Sequence, residues 1–183
     1  ELLRVLTQEV GRRRAERVLL RLPSGSPIVP MALAAGFSAY LEETVLEGWG
    51  GASQATAVTL PAQLREKTPQ DDYALFQLVS AATPQSVRVA VGLTFNQWLD
   101  TQKSDRGGRT EWVVGINGRI TGWLGLAQRH RVTRAEVMAH PDNPDLWKEL
   151  VECALVREGF VKWLVPKHQE LVASLLLRRE FRE

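Results

Sequence analysis

The dipeptide Asn117-Gly118 limits the fold more than any other feature, because it lies between two apolar, strand-like runs. Both residues tolerate the positive φ angles of a type I′ turn, so the pair is typical of a two-residue β-hairpin. The runs cover residues 111–116 and 119–127, and a third run, 132–139, follows a polar turn. The sequence therefore predicts an antiparallel meander of three strands.

Further helices and strands are predicted on both sides of this meander. Their bounds follow from N-cap residues, from prolines at first helical positions and from apolar spacing that matches a helix or a strand. The expected elements are helices over 72–82, 84–90, 95–99 and 144–158, a strand over 160–165 and a last helix over 170–177. These segments predict a domain in which helices pack on an antiparallel sheet.

The first 48 residues carry a helix and strand pattern of their own. The expected elements are a helix over 1–14, a strand over 15–22, a helix over 27–35 with Ser26 as N-cap, and a strand over 37–46. The next stretch, 48–57, is small, polar and rich in glycine, which is typical of a linker. We therefore expect a boundary between two structural units in this stretch.

The composition fits a folded chain without a membrane span. Of 183 residues, 44% are apolar and 24% are charged, which excludes disordered and collagen-like classes. The longest nearly apolar stretch, 28–41, is interrupted by Pro30 and Gly36 and is shorter than the roughly 20 residues that a spanning helix needs. The single cysteine, Cys153, favours a reducing compartment, so we expect a cytoplasmic protein.

Charge and histidine spacing exclude two other classes of function. The net charge is +2, and acidic residues balance basic ones along the chain, so we expect no nucleic-acid surface. The densest basic cluster, 129–131, fits a solvated turn, with contact to phosphates as the alternative. The three histidines, His130, His140 and His168, lack the spacing of metal ligands, so we expect no metal site.

The two ends of the chain share one pattern. An amphipathic helix precedes a strand that ends near a proline, a polar loop, and a helix that stops just before a phenylalanine. The pattern occurs as ELLRVLTQEV…RVLLRLPSGSPIVPMALAAGF and again as DLWKELVECAL…FVKWLVPKHQELVASLLLRREF. Two such units suggest a tandem repeat.

The second unit contains, in order, the segment EWVVGINGRITGWLGLAQRHRVTRAEVMAHPD, a helix, the strand FVKWLV and a last helix. In this order of elements, and in the repeat, the chain resembles the GNAT superfamily of N-acetyltransferases. The resemblance implies an α/β (α+β) fold, with a mixed, mostly antiparallel sheet flanked by helices. It implies that 1–48 form the C-terminal half of a first GNAT-like domain, 49–57 a linker and 58–183 a second GNAT-like domain. The other half of the first domain would lie upstream of Glu1 in a longer protein. Acetyl-CoA would be the acyl donor and a small amine the acceptor.

In that family the loop after the strand over 132–139 is rich in glycine. Glycines let the backbone approach the pyrophosphate of acetyl-CoA, and the N–H groups of the helix start bind it. The residues that the resemblance places at the cofactor are Val137, Met138, Ala139, Asn143, Asp145 and Leu146.

The corresponding stretch here, HPDNPDLWKEL over 140–150, departs from the family pattern. It contains no glycine, Pro144 has no N–H, and Asn143 is expected to cap the helix from within the protein. Asp142 and Asp145 add negative charge, and Trp147 adds bulk. We therefore expect a degenerate acetyl-CoA loop.

Glu136 and His140 are the candidates for a general base, since either could deprotonate an amine beside an acyl donor. The alternative is structural, with Glu136 in a surface salt bridge with Arg134 and His140 packed at a strand end. The tyrosine that the family often carries in its last helix has no counterpart before Phe37 or Phe181.

The chain stops soon after Phe181, before the final strands that the resemblance implies. An unpaired sheet edge invites pairing, so we predict that the strand over 38–46, or a strand from another copy, covers it. Expected partners are thus a second copy in a homodimer or the protein's own upstream domain, with neither nucleic acid nor membrane.

Two functions remain open on the sequence. The first is an acyl-CoA-dependent N-acetyltransferase module, with its working cofactor site upstream or with acetyl-CoA held by the backbone of residues 137–139. The second is a non-catalytic acetyltransferase-like domain for dimerisation or partner binding.

Overall fold

The computed structural model describes residues 2–12, 18–51, 61, 63–104, 108–116 and 118–183 of the chain. The backbone divides into two compact units, Glu1–Tyr40 and Leu41–Glu183. The described part of the first unit is helical, whereas the second contains a six-stranded sheet. The division falls eight residues before the boundary expected at residue 48.

The first unit contains two helices, α1 (Leu2–Arg12) and α2 (Ile28–Ala34). The N-cap residue of α2 is Pro27, one position later than predicted, and the Ser26 Oγ accepts a hydrogen bond from the Ile28 N–H at 3.2 Å. The strand predicted over 15–22 is wrong for residues 18–22, which are irregular, and residues 15–17 lie outside the described part. The physical reason is that no other strand is described in this unit, and a strand needs a partner for its N–H and C=O groups.

The second unit contains both strands and helices. Its elements are β1 (Glu43–Gly50), β2 (Leu64–Glu66), α3 (Asp72–Ala82), α4 (Gln85–Val91), α5 (Phe95–Ser104), β3 (Arg109–Ile116), β4 (Arg119–Arg129), β5 (Val132–Ala139), α6 (Pro144–Leu155), β6 (Gly159–Pro166) and α7 (Glu170–Leu177). The strands lie in the order β1-β6-β5-β4-β3-β2, and all pairs are antiparallel except β5–β6. The predicted mixed, mostly antiparallel sheet flanked by helices is confirmed.

The predicted hairpin joins β3 and β4. Ile116 pairs with Arg119 across the turn, and Gly118 has a φ of +77°. Asn117 lies outside the described residues. Because β5 then pairs antiparallel with β4 along its whole length, the three-stranded meander is confirmed.

Strand β1 covers the β6 edge of the sheet, as predicted, but it begins later than expected. Residues 37–42 are irregular, and all eight residues of β1 pair with β6, from Glu43 with Pro166 to Gly50 with Gly159. Of the stretch interpreted as a linker, 49–50 therefore belong to a strand, and 52–57 lie outside the described residues.

The glycines of this stretch are explained by close packing within the sheet. A Cβ atom on Gly48 would lie 2.8 Å from Cγ of Phe181, and one on Gly50 would lie 2.5 Å from the Arg157 carbonyl oxygen. Glycine is therefore needed here because other groups approach the backbone closely.

Helices pack on both faces of the sheet. Helices α6 and α7 cover one face, here called the α6 face, with a core that includes Leu46, Ala135, Val137, Leu150, Trp163 and Leu176. On the opposite face, here called the α3 face, α3 and α5 pack over a smaller core that includes Leu75, Leu78, Trp98, Val113 and Trp123. Strand alternation places Val45, Trp49 and Val132 on the α3 face, and all three are exposed. Much of that face over β1 and β6 is therefore open.

Two features are absent from the described residues. None of their helices combines the length and the apolarity of a membrane span. No group of three or more histidine, cysteine or acidic side chains among them could hold a metal ion.

Candidate functional site

The parallel strands β5 and β6 separate part-way along the sheet. Residues 132–135 pair with 160–163, but the remaining residues of the two strands do not pair with each other. In sheets with parallel strands, ligands bind in the crevice beyond the carboxyl ends where neighbouring strands diverge. The end of β5, the start of α6 and the start of α7 meet at such a crevice, which is the candidate functional site.

A cavity of about 210 Å³ lies in this crevice. Its walls come from the ends of α3 and β5, the starts of α6 and α7, and the turn after β6: Ala82, Ala139, Pro141, Trp147, His168, Gln169, Leu171 and Val172. Most of these side chains are apolar. The volume is below the roughly 300 Å³ at which sites for drug-sized ligands begin.

The turn between β5 and α6 is held by its own hydrogen bonds. The His140 N–H donates to the Thr121 carbonyl at 2.8 Å, and the Asn143 N–H donates to the His140 carbonyl at 2.9 Å. Pro144 occupies the first turn of α6, as predicted, but Asn143 makes no side-chain cap. The expectation that Asn143 caps this helix is therefore wrong: at φ −130° and ψ 72° its carboxamide oxygen makes no hydrogen bond to the N–H groups of the first turn.

The first turn of α6 packs directly on the sheet. Leu146 is 3% exposed, and a Cβ atom on Gly122 of β4 would lie 2.6 Å from its Cδ2. Trp147, the next residue, forms a wall of the cavity. Leu146 and Trp147 therefore occupy the space beside the first turn of α6.

Glu136 lies on the α3 face of β5, between two guanidinium groups. Its Oε2 accepts from Arg109 Nη2 at 2.9 Å, and its Oε1 accepts from Arg134 Nη2 at 2.5 Å. Both carboxylate oxygens thus bind cations, and Glu136 is not among the residues that line the crevice. The salt-bridge alternative for Glu136 and Arg134 describes this geometry, with Arg109 as a partner that sequence reasoning missed.

His140 follows the last residue of β5 and is 9% exposed. Its Nε2 lies 2.6 Å from Arg119 Nη2, and its Nδ1 lies 3.3 Å from Oδ2 of Asp142. Because a guanidinium can only donate, Nε2 accepts from Arg119, and Nδ1 lies 3.3 Å from the Asp142 backbone nitrogen as well as from its carboxylate. Both ring nitrogens therefore have partners, and the ring is not among the cavity walls.

His168 is a candidate site residue that the sequence did not single out as a base. It lies in the turn after β6 at the crevice, and partial burial lowers the pKa of its imidazole below the usual value. A neutral imidazole in a crevice can accept a proton. Its place two residues after the carboxyl end of β6 is the signal that could have identified it.

The residues that the resemblance placed at the cofactor are distributed over both faces. Val137 and Ala139 are buried on the α6 face, and Met138 packs in the core of the α3 face. Asn143, Asp145 and Leu146 lie at the start of α6. Of the six, only Ala139 lines the cavity.

The comparisons with known proteins give a fold. No family model matches the sequence, and no curated protein matches it. A GCN5-related N-acetyltransferase from Sphaerobacter thermophilus superposes with a TM-score of 0.55 at 16% identity, over 88% of this chain and 54% of the other. A conserved protein of unknown function from Staphylococcus epidermidis superposes with a TM-score of 0.52 at 7% identity, over 98% and 76%. This chain has the GNAT fold.

The chain spans about half the length of the Sphaerobacter acetyltransferase. Within the GNAT fold, the crevice between β5 and β6 is where the resemblance implies acetyl-CoA. The residues present there do not fit that cofactor well. Phosphate groups at the start of α6 would meet Asp145 and the exposed carboxylate of Asp142, without a glycine in the loop, and the cavity is small.

Proposed function

We propose that residues 41–183 form an acyltransferase-type module of the GNAT fold, related in function to acyl-CoA-dependent N-acetyltransferases, in which the cofactor loop is degenerate. The module would bind acetyl-CoA weakly and would not transfer an acetyl group by itself. The proposal rests on the start of α6. Phosphate groups of acetyl-CoA would need space and positive potential there, and this region instead carries Asp142, Asp145 and Trp147.

The electrostatic part of the proposal rests on the position of the two carboxylates. The first turn of a helix attracts anions through its free N–H groups and its dipole. Asp145 lies within that turn, and Asp142 lies two residues before its start. Each carboxylate opposes a phosphate there, so their removal should strengthen binding of an anionic cofactor.

Titration calorimetry of the 183-residue chain with acetyl-CoA tests the proposal. We expect no saturation at submillimolar acetyl-CoA for the native sequence. The double variant Asp142→Asn, Asp145→Asn should bind at least about fivefold more tightly, as expected for two removed charges near a helix start. Trp147→Ala, added to that variant, should strengthen binding further by enlarging the cavity. Glu149→Gln is the matched control, since it removes an exposed charge from α6 one turn further along.

The titration has three informative outcomes for the proposed degenerate loop. Tight binding by the native chain would show that the loop is functional and would overturn the degenerate assignment. Improved binding by the crevice variants, but not by Glu149→Gln, would support the proposal. Absence of binding by every variant would remove the acyltransferase assignment of the crevice.

The second candidate function is a non-catalytic domain that forms a homodimer. The observation in its favour is the open α3 face over β1 and β6, where Trp49 is 69% exposed and packs edge to face on Phe160 at 5.7 Å. Exposed apolar surface of this kind is typical of protein interfaces. A second copy of the chain is the proposed partner.

Light scattering coupled to size exclusion tests this candidate. The native chain should have the mass of a dimer at high concentration, and Trp49→Ser should shift the mass to that of a monomer. Leu177→Ser is the control, because Leu177 is an exposed apolar residue at the end of α7. A monomeric native chain at all concentrations would exclude the homodimer.

A further inference from the structure

We propose that the α3 face carries a second ligand site, separate from the crevice, for a small multivalent oxyanion. The site is a cavity of about 350 Å³ over β3, β4, β5 and β6. Four of its walls are the cations Arg109, Arg129, Arg134 and Lys162, and Glu136 is the single acidic wall. No residue that lines it also lines the crevice.

The strand register brings these cations together. Arg109 pairs with Ala127, Ala127 with Arg134, and Arg134 with Lys162, so one row crosses four strands. Ala127 has a short side chain in the middle of the row, which leaves an open floor between the cations. Arg129, two residues further along β4, lies on the same face beside this floor.

The row contains two like charges at directly opposed positions. Arg134 and Lys162 are Cα partners in the parallel pair of β5 and β6. Like charges opposite each other destabilise a sheet unless something compensates them. Glu136 is shared between Arg134 and Arg109, and Glu47 is 2.6 Å from the Lys162 amine. Glu111 Oε1 also lies 3.6 Å from Arg109 Nε, so three of the four cations pair with three carboxylates.

Unused donor capacity remains around the cavity. Among the described residues, no carboxylate forms an ion pair with Arg129. The Nε of Arg134 is buried and has no hydrogen-bond partner in the same part of the chain. A buried donor without an acceptor costs free energy, so the Arg134 guanidinium still lacks one acceptor.

Arg109 is held in place for this role. Its side chain is 12% exposed, and its guanidinium lies 4.9 Å from the centre of the Trp123 ring. A Cβ atom on Gly125 would lie 2.6 Å from that ring and 2.9 Å from Arg109 Nη2, so glycine is required beneath them. One wall of the cavity is therefore preorganised by packing.

These features identify the ligand by its chemistry. Guanidinium groups bind phosphate and carboxylate oxygens through paired hydrogen bonds, so three arginines and a lysine around one cavity favour a ligand with several anionic oxygens. Glu136, Glu47 and Glu111 offset part of the positive charge, and Arg129 adds a cation without such a partner among the described residues. The cavity volume suits a small molecule. Phosphate groups and clustered carboxylates share this chemistry, so the probes are inorganic pyrophosphate and citrate.

Calorimetry at low ionic strength measures binding of each probe to the 183-residue chain. We expect saturable binding of at least one probe, which added sodium chloride weakens, because the site is partly open to solvent. Saturation by pyrophosphate alone would identify a phosphate ligand, and saturation by citrate alone a polycarboxylate. Arg129→Gln and Lys162→Gln should each weaken binding by at least about fivefold, as expected for loss of a charged hydrogen bond.

Two controls distinguish binding at this site from nonspecific electrostatic attraction and from binding in the crevice. Arg178→Gln removes an equal charge at the end of α7, which packs on the opposite face, and should leave affinity within twofold. Trp147→Ala alters the crevice and should also leave affinity unchanged. Thermal unfolding confirms that each variant is folded. Absence of saturation by either probe, equal weakening by Arg178→Gln and Arg129→Gln, or loss of binding in Trp147→Ala would overturn the proposal.

Discussion

The guanidinium of Arg119, at the start of β4, lies with Nη2 2.6 Å from Nε2 of His140, just beyond the end of β5. This contact occupies one of the two imidazole nitrogens through which a general base could accept a proton. Because His140 is also only 9% exposed, the contact joins the end of β5 to the start of β4 in a largely buried setting.

The contact predicts how substitutions of His140 affect stability. His140→Leu leaves the Arg119 guanidinium beside an apolar group and should lower the free energy of unfolding by about 1–3 kcal/mol. His140→Gln keeps an acceptor and should cost less than about half of that. Urea unfolding of both variants measures the difference. Equal losses would show that the hydrogen bond does not contribute.

A second prediction concerns the two glycines of β1. Gly50→Ala would place a Cβ atom 2.5 Å from the Arg157 carbonyl oxygen, which belongs to the backbone and cannot easily move. Overpacking of this kind costs about 1–3 kcal/mol, and Gly48→Ala, against the Phe181 ring, should cost less than Gly50→Ala.

Gly115→Ala is the control for these variants. Its new Cβ would be 3.8 Å from the nearest atom, which is an ordinary contact. Chemical denaturation should therefore rank the loss of stability as Gly50→Ala, then Gly48→Ala, then Gly115→Ala. The reverse order would contradict the packing of β1 against the turn after α6.

These glycines also show which parts of the fold the sequence could predict. The hairpin at Gly118 was predictable because turn chemistry is local, and β5, β6 and α6 were predictable because periodic apolar spacing is local too. The glycines of β1 were interpreted as a linker because the groups that approach them, Phe181 and Arg157, are more than 100 residues away in the chain.

In the candidate sites, too, some features were predictable from the sequence and others were not. The composition of the loop after β5 was evident from the sequence, and so was a salt bridge between Glu136 and its near neighbour Arg134. The second partner of Glu136, Arg109, is 27 residues away and is brought close only by the pairing of β3, β4 and β5. The row of cations likewise depends on the register of four strands, which no single segment specifies.

A third prediction concerns Cys153 on α6. Burial, with the negative charges of Glu149 and Glu152, raises the pKa of its thiol to about 11. The thiolate is the reactive form, so at pH 8 Cys153 should react with a disulfide reagent on the order of 10–100 times more slowly than the same cysteine in urea. Absorbance of the released thiol measures both rates. Similar rates in the folded and unfolded chain would contradict the burial of this thiol.

The last prediction concerns the pH dependence of stability at Asp71. Its carboxylate accepts hydrogen bonds from Arg65 at 2.6 and 2.7 Å and from the Thr68 N–H at 2.8 Å, and the Arg65 contact is the largest cause of a pKa far below the usual range. A carboxyl with a lowered pKa in the folded state stabilises it above the unfolded pKa of about 4 and loses that contribution as the pH falls.

Asp71→Asn should therefore lower the free energy of unfolding by about 1–3 kcal/mol at pH 7, because the charged hydrogen bonds are lost. The difference in stability between Asp71→Asn and the unsubstituted chain should decrease as the pH falls from about 5 to 3. In this range the Asp71 carboxyl of the unsubstituted chain becomes protonated in the unfolded state. Urea unfolding at several pH values measures this, with the exposed Glu158→Gln as control for the loss of one charge. A difference for Asp71→Asn that stays constant from pH 7 to pH 3 would show that the Arg65 contact does not stabilise the folded state.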